Sequence, residues 1–245
     1  MCIGSIIDQS RVLTVAHCFE YDNFTYVQDP RRLRVAAGNQ GNFVARTDYF
    51  LEYDDYVTIQ WRTIVDIKIH EHFYFPTNDI AIILVNIPFL LNDDVGYIRP
   101  ATRSVDKLDN CVSAGYANVP LRDGKGVTPA IMVTPVSVIP STRCSTLWEI
   151  NMSAFVCTQT AVKDMTGLDI GGPLVCTGMP MTTRETVDQL EGIVSGRTLD
   201  HTILFTRVSE YFDWLLENGY NHGPATALRD SRHEHIFQPI EGDPS

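Results

Sequence analysis

The sequence predicts an all-β fold built from short antiparallel strands, either a sandwich or a barrel. Short Val/Ile-rich runs recur along the chain, and Gly, Pro, Asn and Asp separate them at the intervals such folds require. The runs do not alternate with long helical patterns, which argues against a parallel α/β sheet. Only near the end does a clear helical period replace the strand pattern.

In chain order the expected strands cover residues 33–37, 42–46, 64–69, 80–86, 131–138, 154–158, 174–176, 189–194 and 203–208. Each is rich in β-branched side chains, which fit a pleated and half-buried surface. A further strand is expected to end just before His17. The expected helix places Val208, Phe212, Leu215 and Leu216 at i, i+4, i+7 and i+8, and Gly219 supplies its stop. Residues 220–245 carry Pro224, Pro239 and Pro244 with little periodicity and are expected to form a loose tail. No internal repeat is visible.

A chain of 245 residues fits one large domain or two small ones sharing an interface. The balance of 44% hydrophobic and 20% charged residues is that of a globular protein. Lys plus Arg is 19 against 30 for Asp plus Glu, a net charge of -11. Such a chain repels phosphate backbones and anionic lipid, so neither nucleic acid nor a membrane surface is an expected partner. The longest apolar run, 80–91, contains Asn86 and Pro88 and falls short of the roughly 18–20 residues a bilayer requires.

The six cysteines stand at 2, 18, 111, 144, 157 and 176, with no C-x-x-C pair and no metal-site spacing. An even, widely spaced set predicts disulfides, an oxidising compartment and hence a secreted, extracellular protein. The sequons at Asn23 and Asn151 agree and mark two glycosylation candidates. No cofactor or metal is expected; His233 and His235 in the tail lack a third ligand. The opening residues have no signal-peptide n-region or h-region, so the sequence is expected to begin downstream of its natural start.

Three segments carry chemistry, in a fixed order. Leu13-Thr14-Val15-Ala16-His17-Cys18 sets an imidazole at a strand end beside a cysteine, as a general base requires. Asp79, in Thr77-Asn78-Asp79-Ile80-Ala81, opens an apolar strand; it is either a partly buried carboxylate or a turn residue. Gly167-Leu168-Asp169-Ile170-Gly171-Gly172-Pro173 is a turn that needs special dihedrals and a close backbone approach.

Together these blocks resemble the trypsin/chymotrypsin family of serine proteases. Cys2-Ile3-Gly4-Ser5-Ile6-Ile7 is similar to that family's C-G-G-S-L-I, and Thr14-Val15-Ala16-His17-Cys18 to T-A-A-H-C. Asn78-Asp79-Ile80-Ala81 is similar to N-D-I-A, Cys111-Val112-Ser113-Ala114-Gly115-Tyr116 to C-x-x-x-G-W, and Leu204-Phe205-Thr206-Arg207-Val208 to V-Y-T-R-V. The likeness runs from Cys2 to about Asn218. It implies two six-stranded antiparallel Greek-key barrels, with a catalytic Ser-His-Asp triad between them. It divides the chain into an N-terminal barrel over 1–103, a C-terminal barrel with terminal helix over 104–219, and the tail over 220–245. It also implies disulfides Cys2–Cys18, Cys111–Cys176 and Cys144–Cys157, and a hydrogen-bonded His17–Asp79 pair.

The departures from the family pattern decide the expected function. The family's G-D-S-G-G-P reads Leu168-Asp169-Ile170-Gly171-Gly172-Pro173, so Ile170 replaces the nucleophilic serine. Loss of such a nucleophile lowers turnover by on the order of 10⁶. Leu168 replaces the glycine of the oxyanion hole. A family cysteine is Thr166, and its usual partner after Ser195 is also absent. The specificity pocket is implied at Asp164, Ser195 and Gly196, with the family's Ser-Trp-Gly wall reading Ser195-Gly196-Arg197. Asp164 is either the pocket's acid or a solvated loop acid, and beside Met165, Leu168 and the shortened wall the pocket is not expected to be open. The family's first strand of the first barrel is expected to be missing, and if the protein starts at Met1 that barrel has an open edge. The leading expectation is a secreted serine-protease homologue without peptidase activity. It would be a monomer that binds another extracellular protein, such as a protease, a substrate or an inhibitor. An active trypsin-like endopeptidase and a truncated chain without function are the alternatives.

Overall fold

The computed structural model describes residues 2–21, 25–27, 29–38, 59–104, 108–120, 127–149, 151–159, 170–177, 187–197 and 202–221. The expected strand at 42–46 and the tail from 222 onward, with His233 and His235, lie outside these residues.

The first sheet contains β1 (Ser5–Asp8), β2 (Arg11–Thr14), β5 (Arg34–Ala37), β6 (Gln60–Ile69) and β7 (Ala81–Val85), in the order β1-β2-β7-β6-β5. It is a half-barrel whose edges are β1 and β5. A small hairpin, β3 (Glu20–Tyr21) with β4 (Thr25–Tyr26), follows the His17 segment. Alternation drives the first sheet. Ser5 and Ile7 of β1 are buried while Ile6 and Asp8 are less so.

The second sheet contains β8 (Arg99–Pro100), β9 (Cys111–Pro120), β10 (Val127–Val138), β11 (Phe155–Gln159), β12 (Pro173–Thr177), β13 (Asp188–Arg197) and β14 (Thr202–Arg207). Pairing of β12 with both β9 and β13 closes six of these strands into a barrel, and β8 joins β13 in parallel. The all-β expectation is met: a closed six-stranded barrel and a half-barrel. The chain also forms a helix the strand pattern did not announce, α1 (Ser141–Trp148). Only Cys144 of α1 is buried, so it has no apolar stripe to read.

One apolar cluster joins the sheets. Ile7, Leu13, Val15, Ile80 and Ile82 of the first meet Leu190, Ile193, Val208, Tyr211, Trp214 and Leu215 of the second half. The terminal helix begins as a 3-10 turn, Val208–Tyr211, and continues as α2 (Phe212–Glu217). That start corrects the expected apolar face. A 3-10 turn has 3.0 residues per turn, so the stripe shifts in phase; Trp214 is buried and Leu216 is 42% exposed. Gly219 ends the helix at φ 84. Tyr220, expected to start the loose tail, is instead 4% exposed and donates its N–H to the Leu215 carbonyl.

The three disulfides are Cys2–Cys18, Cys111–Cys176 and Cys144–Cys157, as the resemblance implied.

Candidate functional site

His17 sits in a 3-10 turn, Ala16–Phe19, directly after β2. Val15 and Ala16 are fully buried, and the Cys2–Cys18 bond ties the next residue to the start of the chain. The imidazole is thereby fixed at the sheet's end, with 23% of its side chain exposed. Its Nδ1 lies 2.7 Å from Asp79 Oδ2, and its backbone N–H donates to Asp79 Oδ1 at 3.0 Å. The expected His17–Asp79 pair is present.

Asp79 is 0% exposed, so its carboxylate depends on protein donors. Besides His17 it accepts a hydrogen bond from the Ser195 hydroxyl, Oγ to Oδ2 at 2.6 Å. Its backbone carbonyl accepts from Thr206 Oγ1 at 3.0 Å. The preceding residue, Asn78, adopts φ 54 and is held from two sides. Its Nδ2 donates to the His72 carbonyl at 2.8 Å, and its Oδ1 accepts from the Tyr211 hydroxyl at 3.2 Å. Burial pushes the Tyr211 phenol up to about 12, so it stays a donor.

Ser195 entered the sequence reading as a wall of the specificity pocket. Its hydroxyl turns instead to the carboxylate and makes it a positioning group for Asp79. Thr206, Tyr211 and Asn78 were not singled out by sequence reasoning, although Asn78 and Thr206 lie inside the quoted motifs. Gly196 lies between two aromatic side chains. A Cβ placed there would come within 3.1 Å of the Trp148 ring and 3.9 Å of Phe75. Phe75 in turn meets the His17 imidazole edge-on at 5.3 Å. Leu168 and Asp164 lie outside the described residues, as do Thr166 and Asp169.

The Gly-Gly-Pro turn is held by backbone atoms. Ile3 donates its N–H to the Ile170 carbonyl at 2.8 Å, Gly171 donates to Val194 at 2.9 Å, and Val194 donates to Gly172 at 2.8 Å. Gly171 adopts φ 84, and a Cβ there would run into the Ile3 carbonyl and the Thr14 hydroxyl. Thr14 itself donates to that carbonyl at 2.7 Å. The Ile170 side chain is partly buried and packs against two apolar clusters, the shared core and that of the closed barrel.

Among the described residues no group of three or more His, Cys, Asp or Glu side chains could hold a metal. No helix among them is long and apolar enough to cross a membrane. Asn151 is exposed, and its Oδ1 accepts the Ser153 N–H at 3.0 Å. Asn23 lies outside the described residues.

Comparison with known proteins agrees with this geometry. A family model described as Trypsin matches residues 1–215. A trypsin of Squalus acanthias is 26% identical over 225 residues, covering 88% of this chain and 84% of that protein. A chymotrypsin-C of Mus musculus is 30% identical over 236 residues, covering 88% and 77%. A tryptase of Mus musculus is 27% identical over 234 residues, covering 87% and 77%.

Proposed function

The chain belongs to the trypsin family, and from that premise we propose that it is a secreted, non-catalytic serine-protease homologue that acts by binding another extracellular protein. Ile170 carries this reading. It occupies the family's nucleophile position, has no hydroxyl to attack a carbonyl, and buries its side chain against two cores. Among the described residues, the hydroxyl that reaches the Asp79 carboxylate, that of Ser195, donates to its Oδ2. Three disulfides and an exposed sequon at Asn151 support an extracellular glycoprotein, which works as a monomer without cofactor. A rigid scaffold that has lost its nucleophile still presents loops able to bind.

The alternative, an active endopeptidase, has the intact His17–Asp79 pair in its favour. A fluorophosphonate probe and amide substrates with Arg or Lys separate the two readings. The proposed protein takes up no probe and cleaves no substrate. Labelling that disappears in His17→Ala overturns it. For the binding half, full-length chain is used as bait in the extracellular fluid of its source. Capture of a partner that also binds the purified chain, and not the denatured chain, is the expected result.

A further inference from the structure

The His17 turn and the residues that lead into Asp79 line a half-open pocket on the first sheet. Its volume is about 300 Å³, and it is lined by Phe19, Val27, Ile67, Ile69, His70, Glu71 and Phe73. That is the small end of the range for ligand pockets, about 300–1,000 Å³. The lining is unequal in charge. Five of the seven side chains are apolar, two of them phenyl rings, and Glu71 supplies the anion.

The two titratable groups are fixed in type by their neighbours. The Glu71 amide bonds to its own carboxylate and holds it below the usual carboxylate range, so it is ionised. Glu71 Oε2 also accepts from Trp214 Nε1 at 3.2 Å, which anchors the carboxylate to the terminal helix. Burial pushes His70 down, and the His72 N–H donates to its Nδ1 at 3.2 Å, so the ring is neutral with its proton on Nε2. The His70 ring is itself held between Tyr211 at 5.5 Å and Trp214 at 5.3 Å. The pocket therefore has apolar and aromatic walls, one anchored anion, and no cationic side chain in its described lining.

We infer that this cavity binds a small organic cation with an aromatic or branched apolar body, of the arylalkylamine class. The ammonium would sit at the Glu71 carboxylate and the body would lie against Phe73 and the apolar wall of Ile67 and Ile69, where the ring of Phe73 attracts a cation as well. The site is separate from the proposed protein-binding role and does not depend on it.

Phenethylamine is the probe, with phenylethanol as its neutral counterpart and phenylpropionate as its anionic one. Each is titrated into the isotope-labelled full chain and followed by NMR. The amine is expected to saturate at millimolar concentration and to shift the resonances of Phe19, Ile69, His70 and Phe73. The neutral alcohol binds roughly threefold to tenfold more weakly, as one exposed ion pair plus a cation–ring contact warrants. Glu71→Gln keeps an acceptor for Trp214 and abolishes the amine's advantage over the alcohol; Phe73→Ala weakens both. A native His17 resonance and a single cooperative melting transition show that each variant is folded. Three probes binding alike, an advantage that survives in Glu71→Gln, shifts confined to other residues, or no saturation by the amine each overturn the assignment.

Discussion

Asp79 precedes β7 of the first sheet, Ile170 precedes β12 of the second, and the surroundings of the two are opposite in kind. Around Asp79 the functional side chains themselves make the structure. The carboxylate is satisfied by His17 and Ser195, and Thr206 and Tyr211 fix the backbone and the residue before it. Around Ile170 the side chain contributes only packing. The turn is held by Ile3, Gly171, Gly172 and Val194 through backbone atoms that any residue at 170 would leave untouched. A nucleophile can thus be exchanged without disturbing the turn that carried it, whereas the acid–imidazole pair cannot be dismantled without leaving buried donors unpaired. His17 and Asp79 thus have a structural role in the fold, whatever their chemistry.

Substitutions on each side test that contrast, beginning with the largest effect. Gly171→Ala strikes the backbone frame, because it forces a Cβ at φ 84 into the Ile3 carbonyl. A loss of about 4 kcal/mol or more is expected, enough to leave little folded protein; a denaturant midpoint close to that of the parent would show that the turn yields. Asp79→Ala strips acceptors from His17 and Ser195 in a buried site. It should cost about 3 kcal/mol in equilibrium unfolding. A loss below about 1 kcal/mol would mean that the network is ornamental to folding.

Ile170→Ser is the sharper probe of the other side. It removes apolar packing against two clusters and should cost about 1–2 kcal/mol while preserving the turn. Calorimetry reads the cost, and unchanged amide shifts at Ile3 and Val194 read the turn. Stabilisation by this substitution would contradict the packing role.

A second buried acid calibrates the comparison. Glu191 is 2% exposed, and its Oε2 has no hydrogen-bond partner among the described residues. Burial pushes its pKa up to about 7 against a partial opposing pull from Arg207. The folded state then binds the proton more tightly than the unfolded chain does. The contribution of Glu191 is therefore complete below about 4.5 and is lost as pH rises through about 7. Glu191→Gln should leave stability at pH 4 nearly unchanged and raise it at pH 8 by about 2–3 kcal/mol. Melting curves at the two pH values check this, and an equal change at both would place the proton elsewhere.

Much of this was legible in the sequence, for identifiable reasons. β7 and β14 read as strands because their Val, Ile and Leu residues are buried almost without interruption. β9 was missed because Ala114, Gly115, Ala117 and Asn118 dilute its pattern, and its strand character comes from ten paired positions on β10. α1 was missed because it buries one residue, Cys144, and so has no period to detect. His17 and Asp79 were legible because each stands in a contiguous motif. The Ser195 bond to Asp79 was not, since a hydroxyl 116 positions away leaves no local trace.

That distance has a consequence for the order in which the molecule can assemble. The groups that fix Asp79 and its turn from the second half, Ser195, Thr206 and Tyr211, act across separations of 116, 127 and 133 residues. A ribosome finishing the first sheet has not yet made any of them. The emerging half-barrel must wait with an acid in need of partners, and only docking of the last helix brings the clasp home. Closure of such distant contacts is slow relative to local pairing. The interval between translation of Asp79 and arrival of Tyr211 is therefore when this chain is most open to misassembly.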